Sequence, residues 1–131
     1  HPPVMVGSLF EDVQGAEDFE PLGFSIDAPE GAEDVTYCIY DGAIARVDFT
    51  LSGHDYTYEA AQLDGNFSRA DGEAVGSVSL NAEYDATLDR LSPDVWRAHW
   101  SKDGVSYYLT NFDGAEESAI TGVADTLMES N

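Results

Sequence analysis

Three sets of residues in this chain have the types that metal or acid–base chemistry uses. The first is Asp64-Gly65-Asn66-Phe67-Ser68-Arg69-Ala70-Asp71-Gly72-Glu73, where oxygen ligands recur at alternate positions as in a calcium loop. Arg69 stands where the EF-hand loop needs its sharp-turn glycine, and Val75 where it needs a bidentate glutamate. The stretch reads as a solvated loop, with calcium binding as the rival. The second set is His1, His54, His99 and Cys38, the donor types of a zinc site. None of them has local metal-ligand spacing, so only long-range folding could unite them. The third set is the carboxylates: among 26 acidic residues some pair falls at a glycosidase-like separation by chance, so such a pair carries no information.

Nucleophilic chemistry has no foothold either. The chain holds no Gly-x-Ser-x-Gly elbow, no Ser-x-x-Lys, no phosphate loop and no dinucleotide fingerprint. The expectation is therefore a chain that is not an enzyme and takes no cofactor.

The charge narrows the partners. With 26 acidic against 5 basic residues the net charge is −21. Binding a nucleic acid depends on Lys and Arg neutralising phosphates, so nucleic acid is excluded as a partner class, and an anionic membrane surface repels the chain. The acidity reads first as a solvating shell and second as a surface for cations or a basic partner. No apolar run approaches the roughly 20 residues of a transmembrane helix. The chain opens at His1-Pro2-Pro3 without a methionine or a signal peptide, which reads as a removed leader or a trimmed chain. Cys38 has no internal disulfide partner and sits in an apolar strand pattern, where a thiol is a small buried hydrophobe.

The elements that must position any site follow from turn chemistry and alternation. Trp96-Arg97-Ala98-His99-Trp100-Ser101-Lys102-Asp103-Gly104-Val105-Ser106-Tyr107-Tyr108-Leu109 reads as a hairpin about a type I′ turn at Asp103-Gly104. Its register puts Trp100 opposite Tyr107 and Ala98 opposite Leu109 on one face, with His99 opposite Tyr108 and Arg97 opposite Thr110 on the other. Residues 35–40 and 43–51 flank Asp41-Gly42, and Ser52-Gly53 turns the chain into residues 54–62, a three-stranded meander. The second turn sets Phe49 opposite Tyr56, Val47 opposite Tyr58 and Ala45 opposite Ala60, with Arg46 opposite Glu59 and Thr50 opposite Asp55 on the reverse face. The first turn is expected to bring Cys38 opposite Ala45 and Ile39 opposite Ile44. His54 then lies at a turn and His99 points off the apolar face, as surface histidines do.

Elsewhere the signals are shorter. Ser8-Leu9-Phe10-Glu11 has the form of a capping box, so a short helix is expected between residues 9 and 19, ended by Pro21. Residues 24–28 and 78–84 alternate as strands, while 63–76 and 85–94 read as irregular. Ala119, Ile120, Val123, Ala124, Leu127 and Met128 form one apolar stripe of a C-terminal helix that Asp113 or a neighbour is expected to cap. The sum is an α+β fold: an antiparallel β-meander sheet of about six or seven strands with a short N-terminal helix and a C-terminal amphipathic helix packed on it. Residues 1–131 form a single domain with an extended N-terminal arm at 1–7, no internal repeat divides it, and the chain is expected to be a monomer or a weak dimer. Tyr37, Ile39, Ile44 and Tyr108 are expected on the second face of the sheet, as a partly apolar surface for a partner or ligand.

Taken in order, Gly23-Phe24, Pro29-Glu30-Gly31, Asp41-Gly42-Ala43-Ile44-Ala45, His54-Asp55-Tyr56-Thr57-Tyr58-Glu59-Ala60, Trp100-Ser101-Lys102-Asp103-Gly104-Val105-Ser106-Tyr107 and the terminal helix resemble a known pattern. It is that of a domain family of unknown function, found in small secreted or lipid-anchored proteins of Gram-positive bacteria and on the outer side of anti-sigma-factor-like membrane proteins. The likeness covers residues 9–130, and the chain departs from it in its acidity and in Pro21. The family supplies no agreed catalytic or binding residues. The resemblance implies an extracytoplasmic, secreted or surface-anchored location and a non-catalytic binding or sensing domain for a protein or cell-envelope ligand. The alternatives are a carrier of an apolar or lipid-like ligand on the sheet face and a calcium-stabilised structural module.

Overall fold

The computed structural model describes residues 10–62 and 73–130. The strands are β1 (Phe10–Val13), β2 (Glu33–Tyr40), β3 (Ile44–Leu51), β4 (His54–Ala61), β5 (Gly76–Asn81), β6 (Ala86–Ser92), β7 (Val95–Lys102) and β8 (Val105–Asn111). A 3-10 helix, Ala16–Leu22, follows β1, a short one, Ala82–Tyr84, follows β5, and the helix α1 (Glu117–Ser130) ends the chain. Among the described residues all eight strands join one antiparallel sheet in the order β1-β2-β3-β4-β8-β7-β6-β5, one strand more than the upper expectation.

Three hairpins turn where the dipeptides place them. Asp41-Gly42, Ser52-Gly53 and Asp103-Gly104 all have positive φ at both residues, as a type I′ turn requires. The second and third loops are two residues long, and their registers are those read from alternation, Phe49 opposite Tyr56 and Trp100 opposite Tyr107 included. The first loop holds one residue more. Tyr40 pairs with Ile44, so Cys38 lies opposite Arg46 and Ile39 opposite Ala45, not Cys38 opposite Ala45. Because the side-chain period of a strand is two, that one residue turns all of β2 over.

Other expectations are corrected as well. Residues 10–13 are a strand pairing with β2, and the helical turn begins only at Ala16. Pro21 lies inside that 3-10 helix rather than beyond it, and the chain leaves through Gly23 at φ 92, whose N–H bonds to the Glu20 carbonyl. Residues 24–29 form no strand, whereas 86–92, read as irregular, form β6. The strand expected at 78–84 ends at Asn81.

The pairing also has a hidden repeat. Arg46 pairs with Glu59 as Arg97 pairs with Thr110, Tyr37 with Val47 as Leu88 with Ala98, and Tyr56 with Asn111 as Tyr107 with Ala60. In the first two comparisons both residues lie the same distance further along the chain, and in the third that same step exchanges the two strands. Two three-stranded meanders, β2-β3-β4 and β6-β7-β8, are thus related by a local twofold between Tyr58 and Leu109, where β4 meets β8.

One face of the sheet is the core. Tyr58, Trp100 and Tyr107 stack there at centroid distances of 5.6–6.2 Å. Ile120, Val123, Ala124, Leu127 and Met128 of α1 join the same cluster, as do Phe19 and Ile26 from the opposite half. The Trp96 indole N–H donates to the Ala115 carbonyl at 3.0 Å and fixes the entry to α1.

The reverse face carries buried polar groups. Arg46 Nε and Nη2 both donate to Glu59 Oε2, at 3.0 and 2.7 Å. Asp89 accepts from Arg97 Nη2 at 3.2 Å and from the Ser77 hydroxyl at 2.7 Å, with His99 Nε2 at 3.1 Å. By the local twofold the two arginines are equivalent. Their carboxylates are not: one stands on β4 and the other on β6.

Candidate binding site

An open pocket of about 400 Å³ lies where β2, β3 and β4 meet the segment leaving β8. Its walls carry four carboxylates, Asp34, Asp48, Asp55 and Asp113, around Phe49, Tyr56 and Phe112. Asp34 reaches it from the bulge between Glu33 and Thr36, at φ 51, a left-handed conformation that aspartate tolerates. Asp48 and Asp55 are on the polar side of a strand pair whose register puts Thr57 opposite Asp48 and Thr50 opposite Asp55. Each threonine hydroxyl donates to its opposite carboxylate, at 2.6 and 2.7 Å. Phe49 and Tyr56 stack at 5.4 Å and 20° on the opposite, core face of the same two strands, and Phe112 stands 43% exposed at the rim.

Asn111 assembles the far wall. Its amide N–H groups donate to the Asp55 carbonyl at 2.9 Å and to Asp113 Oδ1 at 2.7 Å, and its Oδ1 accepts from the Ala115 and Asp113 N–H groups at 2.9 and 3.3 Å. Asp113 Oδ2 accepts the Asp55 N–H at 2.9 Å, and His54 Nδ1 lies 3.0 Å from Asp113 Oδ1. Burial works against the Asp113 charge, but the Asp55 N–H, the Asn111 amide and His54 outweigh it and hold the carboxyl below the usual carboxylate range. Asp113 therefore ties β4 to β8 and does not cap α1, which starts at Glu117 with the Ile120 N–H on the Glu116 carbonyl. Burial, with the Asp113 charge beside it, raises the Tyr56 phenol above its ordinary value.

Carboxylates attract a cation, and the exposed Phe112 ring adds a face whose attraction for one is worth about 0.5–2 kcal/mol. The chemistry this arrangement offers is recognition of an organic cation with an apolar stem.

The residues expected to form a ligand face do not come together. The extra loop residue Ala43 puts Tyr37 and Ile39 on the core face. Tyr37 packs 6.2 Å from Phe19 there, and Ile39 is buried. The Tyr37 hydroxyl donates to Asp27 at 2.6 Å, and that bond, with burial, pushes its pKa up to about 12. Ile44 and Tyr108 remain on the reverse face, Ile44 buried and Tyr108 beside His99 at 5.6 Å. His54 and His99 are each about one-third exposed and hold carboxylates. Burial pushes the Cys38 thiol up, with Arg46 opposing, so it remains a buried thiol. Among the described residues no group of three or more His, Cys, Asp and Glu side chains is placed to hold a metal ion, and no helix is long and apolar enough to cross a membrane. The calcium-like stretch from Asp64 to Gly72 and the arm with His1 lie outside the described residues.

Sequence reasoning passed over Asp34, Asp48, Asp55, Phe112 and Asp113 as a group. Only the Thr50–Asp55 pairing was legible, because the rest converge from β2, β3 and the end of β8. Comparison with protein-family models, with curated proteins and with solved structures returned no match.

Proposed function

We propose that this chain is a non-catalytic, extracytoplasmic binding domain whose ligand is a protein presenting a Lys or Arg side chain. The extracytoplasmic placement rests on the family resemblance alone. The observation that supports the ligand class is the pocket itself: four carboxylates beside an exposed Phe112, in a chain of net charge −21. A lysine or arginine stem packs on the Phe112 ring while its charged head meets the aspartates. An apolar-ligand carrier has less support, since Tyr37 and Ile39, half of its expected groove, face the core.

A polycation binds any strongly acidic surface, so the test separates pocket from field. Tetralysine is titrated calorimetrically into the wild type, into Phe112→Ala, whose charge is unchanged, into Asp34→Asn/Asp55→Asn, and into Glu116→Gln/Glu117→Gln, which removes two charges outside the pocket. Loss of an aromatic cation contact worth about 1 kcal/mol weakens binding about fivefold in Phe112→Ala. Equal weakening in the two double variants, with no effect of Phe112→Ala, overturns the reading.

A further inference from the structure

The geometry points to β5 as a self-association edge, at which two copies of this chain pair β5 with β5 antiparallel and continue the sheet. Among the described residues the two edges of the sheet are β1 and β5. An edge strand presents unpaired N–H and C=O groups, and natural sheets guard such edges with charge, proline or lysine. β1 carries Glu11 and Asp12. β5 reads Gly76-Ser77-Val78-Ser79-Leu80-Asn81, with no charge and no proline, and its first four residues are exposed. Val78 is 45% exposed and the neighbouring Val75 76%, two of the three large apolar residues that the described chain leaves exposed.

The occupant follows from charge and register. A basic partner finds no carboxylate on β5 to recognise, whereas two copies at −21 each can bring backbones together only along an uncharged strand. Antiparallel neighbours must share a face, which Val78 opposite Val78, Ser77 opposite Ser79 and Gly76 opposite Leu80 satisfies. Val78 lies on the Leu88 side of the sheet, so the two valines extend the apolar face across the join. The operation is also the one that builds the monomer, where two meanders meet through β4 and β8 about a twofold. A six-residue edge buries little area, and the like charge opposes contact, so the dimer is weak and strengthens as salt screens the repulsion.

Sedimentation of the full chain up to about millimolar concentration, at about 50 mM and about 1 M sodium chloride, reads this out. The expected result is a mass that rises toward twice the monomer with concentration, more readily at high salt. Val78→Lys, with an unchanged melting temperature and a smaller net charge, stays monomeric throughout. Val78→Cys, oxidised in high salt, gives a disulfide-linked dimer while the buried Cys38 stays free. A monomer under all conditions, a dimer that survives Val78→Lys, or no cross-link through Val78→Cys each overturns the proposal. Association that weakens with salt overturns it as well, since that is the signature of opposite charges meeting.

Discussion

Replacing Asn111 by aspartate keeps the side chain's shape and removes both of its donors. Asn111 is fully buried, and its two N–H groups reach the Asp55 carbonyl and the charged Asp113 Oδ1. A bond to a charged acceptor contributes about 1.5–3 kcal/mol and one to a carbonyl about 0.5–1.5 kcal/mol, so Asn111→Asp loses about 2–4.5 kcal/mol before repulsion is counted. At about 2.1 cal/mol/K of unfolding entropy per residue, a chain of 131 residues turns that into a fall in Tm of about 7–16 °C. The new carboxylate also faces Asp113 across a contact that is 2.7 Å in the wild type.

The pH dependence carries a sign. Wild-type Asp113 is held below its usual range, so its contribution is complete above the unfolded value of about 3.9 and is lost as pH falls through the folded one. In Asn111→Asp the added carboxyl is buried beside a like charge and its pKa is raised. Its deficit is widest at neutral pH and narrows as pH falls, because protonation restores a donor to Asp113. Urea denaturation of wild type, Asn111→Asp and Asn111→Ala across about pH 4–7 measures this, with the alanine variant's deficit remaining nearly flat. A variant within about 1 kcal/mol of wild type at pH 7, or an Asn111→Asp deficit that ignores pH, refutes the reasoning.

Two further outcomes concern the core and the reverse face. Phe19→Ala empties a fully buried ring site beneath Tyr37, so it costs about 3–5 kcal/mol in urea denaturation and raises the exposure of Tyr37 to quenchers. Glu59→Gln leaves the buried Arg46 without its carboxylate and costs about 3–5 kcal/mol, while Arg46→Met/Glu59→Leu returns close to wild-type stability, a contrast that a double-variant cycle measures directly.

Much of the local structure was legible because its causes are local. Asp41-Gly42, Ser52-Gly53 and Asp103-Gly104 turn because each places a glycine, which accepts positive φ freely, at its second position, and alternation through Ser52-Gly53 and Asp103-Gly104 then sets which residues face each other. The stripe from Ala119 to Met128 likewise assigns α1 its buried face. β1 and β6 escaped notice for a complementary reason. The first is four residues long, and the second breaks its alternation with Asp89 and Arg90.

What the chain's chemistry determined by itself is an acidic, antiparallel domain with two tight hairpins of known register and a helix laid on its apolar face. The face of β2, the local twofold and the aspartate pocket were decided by the tertiary structure alone. One loop residue, Ala43, inverts β2 without changing its composition. The twofold lives in the β4–β8 pairing, between residues far apart in the chain. The pocket gathers Asp34, Asp48, Asp55 and Asp113, which are unremarkable among 26 acidic residues until folding brings them to one end of the sheet. Nearest-neighbour preferences select turns and periodicity, whereas burying the core once, with every strand paired, selects which distant strands meet and therefore where charge collects.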